Sequence, residues 1–183
     1  MAVEANFPLL ILLILLISAF MMPVIKNIRT VKLFSLSAML LSLVLSVFTF
    51  KHVSRAGTFV YKVGHFAAPW GIELKIGYLE SIMSIMFTFI AALIIWASFY
   101  SIEHEVKEKN IGLYYTLCGL LIASLLGIVY SNDIFNCFVF IEISSIAASG
   151  IVVVKDNKEN IKAALKYLIL SSLGSGLVLM GIA

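Results

Sequence analysis

The chain has 183 residues, 62% of them apolar and 13% charged, where a soluble globular domain carries roughly a quarter charged residues. That balance excludes an ordinary soluble domain, and the long uncharged runs leave no length for a nucleotide fold or nucleic-acid module of ordinary size beside them. The net charge of +3 is modest and reads as membrane topology rather than as attraction to nucleic acid.

Six runs are each about as long as the roughly 20-residue helix that crosses roughly 30 Å of hydrocarbon. They occupy residues 5–25, 33–50, 77–102, 110–131, 133–154 and 164–183. The expected fold is an all-α transmembrane six-helix bundle, one membrane domain over 1–183. The first run follows an acidic leader, Met1 to Asn6, and no small-residue cleavage motif comes after it, so it reads as a span rather than a secretion signal. The only long connection, 51–76, holds two β-prone pieces, 58–63 and 72–76, around Gly64-His65-Phe66-Ala67-Ala68-Pro69-Trp70-Gly71. This pattern predicts an outer β-hairpin with a Gly- and Pro-rich turn, Tyr61 and Trp70 sitting at the interface. Residues 103–109 alternate in sign and read as a solvated inner link. With the N-terminus outside, the inner links carry Lys26, Arg29, Lys32, Lys107, Lys109, Lys155, Lys158, Lys162 and Lys166, against Lys51, Arg55, Lys62 and Lys75 outside. That excess favours the N-terminus-out arrangement in a cell membrane.

Neither cysteine, Cys118 or Cys137, belongs to a CxxC or Cys/His cluster, so no disulfide, metal or cofactor is expected. His52, His65 and His104 are read in links, and no nucleophile triad or phosphate loop occurs.

The residue that stands out is Glu142, set inside an apolar run and about 18 Å along a helix from Val154. An ionisable group at that depth is costly unless it faces water or a polar partner, and such groups mark ion and proton paths. Ser145 and Ser149 project on the same helix side and give a narrow polar stripe. The competing reading is a protonated, hydrogen-bonded Glu that fixes helix packing. Asp133, nine residues earlier, more simply caps the fifth span with Ser131 and Asn132 making the turn. Glu80 opens the third span, either at the interface or facing the bundle. Lys162 and Lys166 lie one turn apart at the inner start of the sixth span, where snorkelling competes with a charge-tuning role for Lys166. Ser171-Ser172-Leu173-Gly174-Ser175-Gly176 suits close helix packing.

These residues carry a family resemblance. Gly64 through Leu74 resembles the outer hairpin of the antiporter-like membrane subunits shared by Mrp cation/proton antiporters (their D-type component), membrane-bound hydrogenases and respiratory complex I. Ser131-Asn132-Asp133-Ile134-Phe135-Asn136-Cys137-Phe138-Val139-Phe140-Ile141-Glu142-Ile143-Ser144-Ser145 and Ala163-Ala164-Leu165-Lys166-Tyr167-Leu168 are similar to later blocks of the same family. The resemblance implies that Glu142 is the family's central glutamate, which pairs with a lysine on the seventh span. That lysine has no counterpart before Ala183, and Gly77 stands where many relatives have an aspartate.

The resemblance implies a proton- or sodium-translocating subunit of a multisubunit complex, half of a split subunit whose other chain supplies the seventh span onward with a buried lysine. In that mechanism Glu142 relays the ion, Ser145 and Ser149 support water and Lys166 tunes charge. Such a subunit holds no redox cofactor and is not catalytic alone. The alternative is a non-transporting structural or assembly subunit of the same kind of complex.

Overall fold

The computed structural model describes residues 6–65 and 71–182; Trp70 and the rest of the hairpin tip lie outside them. Its helices are α1 (Phe7–Met21), α2 (Ile28–Ala56), α3 (Tyr78–Glu105), α4 (Glu108–Tyr130), α5 (Ile134–Val153) and α6 (Lys158–Ile182), with β1 (Phe59–Lys62) and β2 (Glu73–Ile76) between α2 and α3. All six, α1 taken on to Val24, are long and apolar enough to cross a membrane. The six-helix bundle with its small hairpin is thus the architecture the apolar runs imply.

Local chemistry fixes the ends. Pro23 has no N–H to continue α1, which tightens into the 3₁₀ turn Met22–Val24. Asn27 Oδ1 accepts from the Arg29 N–H at 3.0 Å and starts α2, and Gly57 (φ 82°) ends it in a backbone region that favours glycine. Glu80 turns back so that its Oε2 accepts from the Gly77 N–H at 2.9 Å, half of a capping box that satisfies an otherwise orphaned donor. Asp133 caps α5, its Oδ1 accepting from the Phe135 N–H at 3.1 Å, as its place before the apolar run implies.

The helices reach past the uncharged runs: α2 begins at Ile28 and α4 at Glu108, and three further ends differ. The stretch 51–56 belongs to α2 rather than to the hairpin loop, which places His52 on a helix. Residues 103–105, with His104, complete α3. Lys162 already sits inside α6, which starts at Lys158. The reason is common to all three: an uncharged run marks only the stretch bound for hydrocarbon, while the helical hydrogen bonds continue outward through charged turns whose side chains reach the interface.

α1 packs on α2 and α4, α3 on α2 and α4, and α5 on α4, with α6 leaning on α5. Ile11, Leu15, Met39, Ile95, Ile111, Tyr115 and Leu126 form the core. At one end the hairpin pairs Phe59 with Ile76 and Lys62 with Glu73. It is clipped to the α4–α5 turn, where the Asn132 N–H donates to the Glu73 carbonyl at 3.0 Å. At the other end two links are tied crosswise, Lys107 to Asp156 at 2.6 Å and Lys155 to Glu105 at 2.8 Å. Asn110 Nδ2 adds a bond to the Val154 carbonyl at 3.1 Å.

The hydrogen bond and charge of Lys107 hold the Asp156 carboxyl below its ordinary range. A depressed carboxyl stabilises the tie above its unfolded-state value and loses that contribution as pH falls through the folded one. A nitroxide on Asn157 is therefore expected to gain mobility as pH drops below the usual carboxylate range of about 4. Asp156→Asn should show that mobility at every pH. A label equally immobile in the variant would remove the tie's role; its energy is small because both partners are exposed.

Candidate functional site

α5 is apolar because it crosses the bundle's periphery, and its few polar side chains are set where they meet α4 and α6. Glu142 lies eight residues from Ile134 and eleven from Val153, about 12 Å and 17 Å from the two helix ends at 1.5 Å per residue. The side chain is half-buried. Its Oε1 is buried without a hydrogen-bond partner among the described residues. A packing acid of the bland kind has its oxygens satisfied, since an unpaired buried polar atom costs about 1–3 kcal/mol. This carboxyl oxygen is buried with no such bond made among the described residues.

Ser145 and Ser149 are buried on the same helix. Ser145 Oγ accepts from Ser171 Oγ of α6 at 2.9 Å, and Ser149 Oγ donates to the Ile146 carbonyl at 2.9 Å. Ser149 also borders a cleft of about 290 Å³ between α5 and α6, lined with Ala148, Val152, Ala163, Ala164 and Tyr167. The cleft lies on the side of Glu142 away from the hairpin, against Ala163, Ala164 and Tyr167 of α6. Lys166 is exposed on α6. Because Ser145 faces Ser171 across antiparallel helices, Lys166 and Glu142 stand on opposite sides of that contact, separated along the axis by about 12 Å. The structure brings Ser145 to α6 and Ser149 to the cleft; it does not bring Lys166 to Glu142.

α6 itself is thinly held. Ala164 is its one buried residue, and a Cβ added at Gly174 or Gly176 would meet nothing within 4 Å. Of the Gly-Ser run expected to serve helix packing, Ser171 meets α5, while Gly174 and Gly176 face away from the described residues.

One charged pair escaped the sequence reading. Lys32, counted among the inner-link charges, is 7% exposed on α2. Its Nζ donates to Glu103 Oε1 at 2.7 Å and to the Phe99 carbonyl at 2.9 Å, and lies 5.8 Å from the Phe99 ring centre. The signal was a lysine abutting an apolar run with an acid in the alternating segment 103–109, but 71 residues separate the two. The partners are unequal, the Glu103 side chain being 57% exposed against 9% for Lys32. Glu103→Gln leaves a buried ammonium short of its counter-charge, whereas Lys32→Met leaves a carboxylate that water can solvate. Glu103→Gln is therefore expected to destabilise the protein more than Lys32→Met. Equal melting temperatures for the two variants would contradict this.

Comparisons with known proteins bear on the family and the fold. Residues 131–183 match the family described as NADH:quinone oxidoreductase/Mrp antiporter, TM. The chain is 29% identical, over 97% of its length, to the D component of the Na(+)/H(+) antiporter of Bacillus subtilis (strain 168), of which it spans 36%. It is 35% identical, over 67% of its length, to the N component of the NADH-quinone oxidoreductase of Desulforudis audaxviator (strain MP104C), of which it spans 24%. In fold it matches a chain of the membrane-bound sulfane sulfur reductase, an archaeal respiratory membrane complex, with a TM-score of 0.86 at 30% identity, covering 96% of this chain and 36% of that one. The chain thus spans about a third or less of the length of the relatives it matches. By sequence and by fold it belongs to the antiporter-like membrane subunits that Mrp antiporters and complex I share.

Proposed function

We propose that the chain is the part of an antiporter-like subunit that carries the acidic half of an ion-translocation site, working within a multisubunit complex of the cell membrane with its N-terminus outside. The observation that carries this reading is the Glu142 carboxyl, at mid-depth in α5 with a buried oxygen unsatisfied among the described residues. An acid so placed takes up a proton, binds a sodium ion or pairs with a cation from another element, and each of these changes its charge state or partner as an ion passes. Ser145 and Ser149, with the cleft beside them, provide hydroxyls for water on the approach from the lysine-rich end. Lys166 holds positive charge on that approach, one region removed from the acid.

The base that completes the site comes from helices covering the open face of α6, where Gly174 and Gly176 meet nothing. A buried lysine on such a helix gives Glu142 the partner it lacks, and those helices belong to a membrane neighbour or to further sequence of the subunit. The subunit holds no redox group of its own; the energy for transport comes from a redox arm or from the opposing ion gradient.

The test is gradient formation by membrane vesicles carrying the assembled complex with Glu142→Gln. Collapse of the gradient with the subunit retained supports translocation through Glu142. Undiminished pumping overturns it and leaves a structural or assembly role.

A further inference from the structure

The hairpin-side end of α2 takes no part in the site on α5. A cleft of about 770 Å³ lies there, between the first residue of α1 and the last turns of α2, lined by Phe7, Leu45, Phe48, Lys51, His52 and Arg55. Part of its wall is aromatic, the Phe7 and Phe48 rings standing 6.2 Å apart, centre to centre. Lys51 folds toward that wall, with its Nζ 5.7 Å from the Phe48 ring centre. His52 meets the hairpin, its ring nearly perpendicular to that of Phe59 at 5.3 Å. Arg55, one turn after Lys51 on the same helix side, is exposed at the end of α2. Neither Lys51 nor Arg55 makes an ion pair among the described residues, and no acid among those residues lines the cleft. A cation near a helix C-terminus is favourable by itself, which accounts for Arg55 but not for a cleft walled by rings beside it.

The apolar wall continues along α2, where Leu41, Val44 and Phe48 are exposed at the spacing of one helix face. Leu41 and Lys51 are ten residues apart on α2, about 15 Å along the axis, the depth of one leaflet of a roughly 30 Å hydrocarbon layer. An apolar track one leaflet deep, ending in two cations without a counter-charge, matches an amphiphile with an acyl chain and an anionic head. We propose that this cleft binds one anionic phospholipid of the hairpin-side leaflet, its phosphate held by Lys51 and Arg55 and the first part of a chain lying on Phe7, Leu45 and Phe48. The Arg55 guanidinium presents a planar fork that suits phosphate oxygens, and the Lys51 ammonium adds a point charge. A zwitterionic lipid brings a cation of its own to a site that already lacks counter-charge, so the headgroup selected is anionic. A free phosphate would satisfy the cations but leave the rings uncovered. The cleft volume is within the roughly 300–1,000 Å³ of small-molecule sites. This inference does not depend on the role of Glu142.

The experiment is photolabelling of the complex purified from native membranes and reconstituted into vesicles. The probes are phosphatidylglycerol and phosphatidylcholine carrying the same diazirine partway along one acyl chain, with labelled residues located by peptide mass spectrometry. The groove between α2 and α3, lined by Leu36, Leu40, Leu43, Phe89, Leu93 and Trp96 with no charged group, is the internal control. Phosphatidylglycerol is expected to label residues 45–56 at least about fivefold more than phosphatidylcholine does, the ratio that one basic residue beside an anionic headgroup supplies, while the groove takes both lipids equally. Lys51→Gln combined with Arg55→Gln should bring the two lipids level at 45–56 and leave the groove unchanged; both side chains are exposed, so the helix core is untouched. Excess inorganic phosphate should not displace the label, compared with chloride at equal ionic strength. Equal labelling of 45–56 by the two lipids in the parent complex would overturn the proposal. So would a preference that survives in the double variant, or displacement by inorganic phosphate, which would make the ligand a free anion.

Discussion

Vesicles carrying the complex with Glu142→Gln are expected to build an ion gradient about 10²-fold slower than the parent, a loss typical of removing a positioned proton-transfer group, with the subunit still assembled. The contrast rests on what the substitution leaves alone. Glutamine keeps the volume and shape of the side chain, and Oε1 has no hydrogen bond among the described residues to lose, so the α4–α5 and α5–α6 contacts have no reason to shift. Only the ability to change charge disappears. Glu142→Asp keeps that ability but withdraws the carboxyl by one methylene, and an intermediate rate is expected. Ser145→Ala removes the acceptor for the Ser171 hydroxyl, at a cost of about 1 kcal/mol, and should slow transport less than loss of the acid. The order Gln, Asp, Ala from slowest to fastest, read with subunit content on a native gel, separates a relay from a scaffold. If all three rates matched the parent at equal subunit content, the translocation reading would fail.

What was legible beforehand follows from the range of the forces involved. An apolar run of 20 residues announces its span because hydrocarbon admits little else, and a carboxylate just before such a run, as at Asp133, announces a cap because the bond it makes lies two residues away. Glu142 stood out for the same local reason, a charge with no relief in its own sequence. Contacts set by helix packing were not legible. Lys32 looked like one more interfacial lysine, and only the approach of α3 to α2 turned it into the buried half of a pair. Glu80 was equally ambiguous until the backbone at Gly77 turned toward it. The buried contact of Ser46 with Ser84 needs α2 and α3 in register, which neither helix announces by itself. The exposed position of Lys166 likewise depends on how α6 is rotated on α5, and a single helix sequence leaves that rotation open.

Gly127→Ala is expected to harm this protein far more than Gly150→Ala, although both glycines lie at the α4–α5 contact and both tests add one methyl. A Cβ at Gly127 would fall 2.5 Å from Cδ1 and Cε1 and 2.6 Å from Cγ of Phe140. Cγ is fixed close to the backbone, so relief requires the whole ring, and the helix behind it, to move. At Gly150 the obstacles at 2.9 Å are the two methyl ends of Leu117, which a rotamer change carries away. Alanine in a helix interior gains about 1 kcal/mol over glycine, enough to offset the strain at Gly150. Overpacking against a ring costs about 1–3 kcal/mol, so the balance at Gly127 turns unfavourable. The damage is expected to reach function because Phe140 precedes Glu142 by two residues on α5, and a wedge between α4 and α5 displaces the carboxyl. Gly127→Ala should therefore lower both the melting temperature and the transport rate. Phe140→Leu placed in the same chain should restore much of each, since the smaller side chain vacates the space that the new methyl needs. Equal stability for Gly127→Ala and Gly150→Ala would show that α4 and α5 are not held at this distance by Gly127 and Phe140.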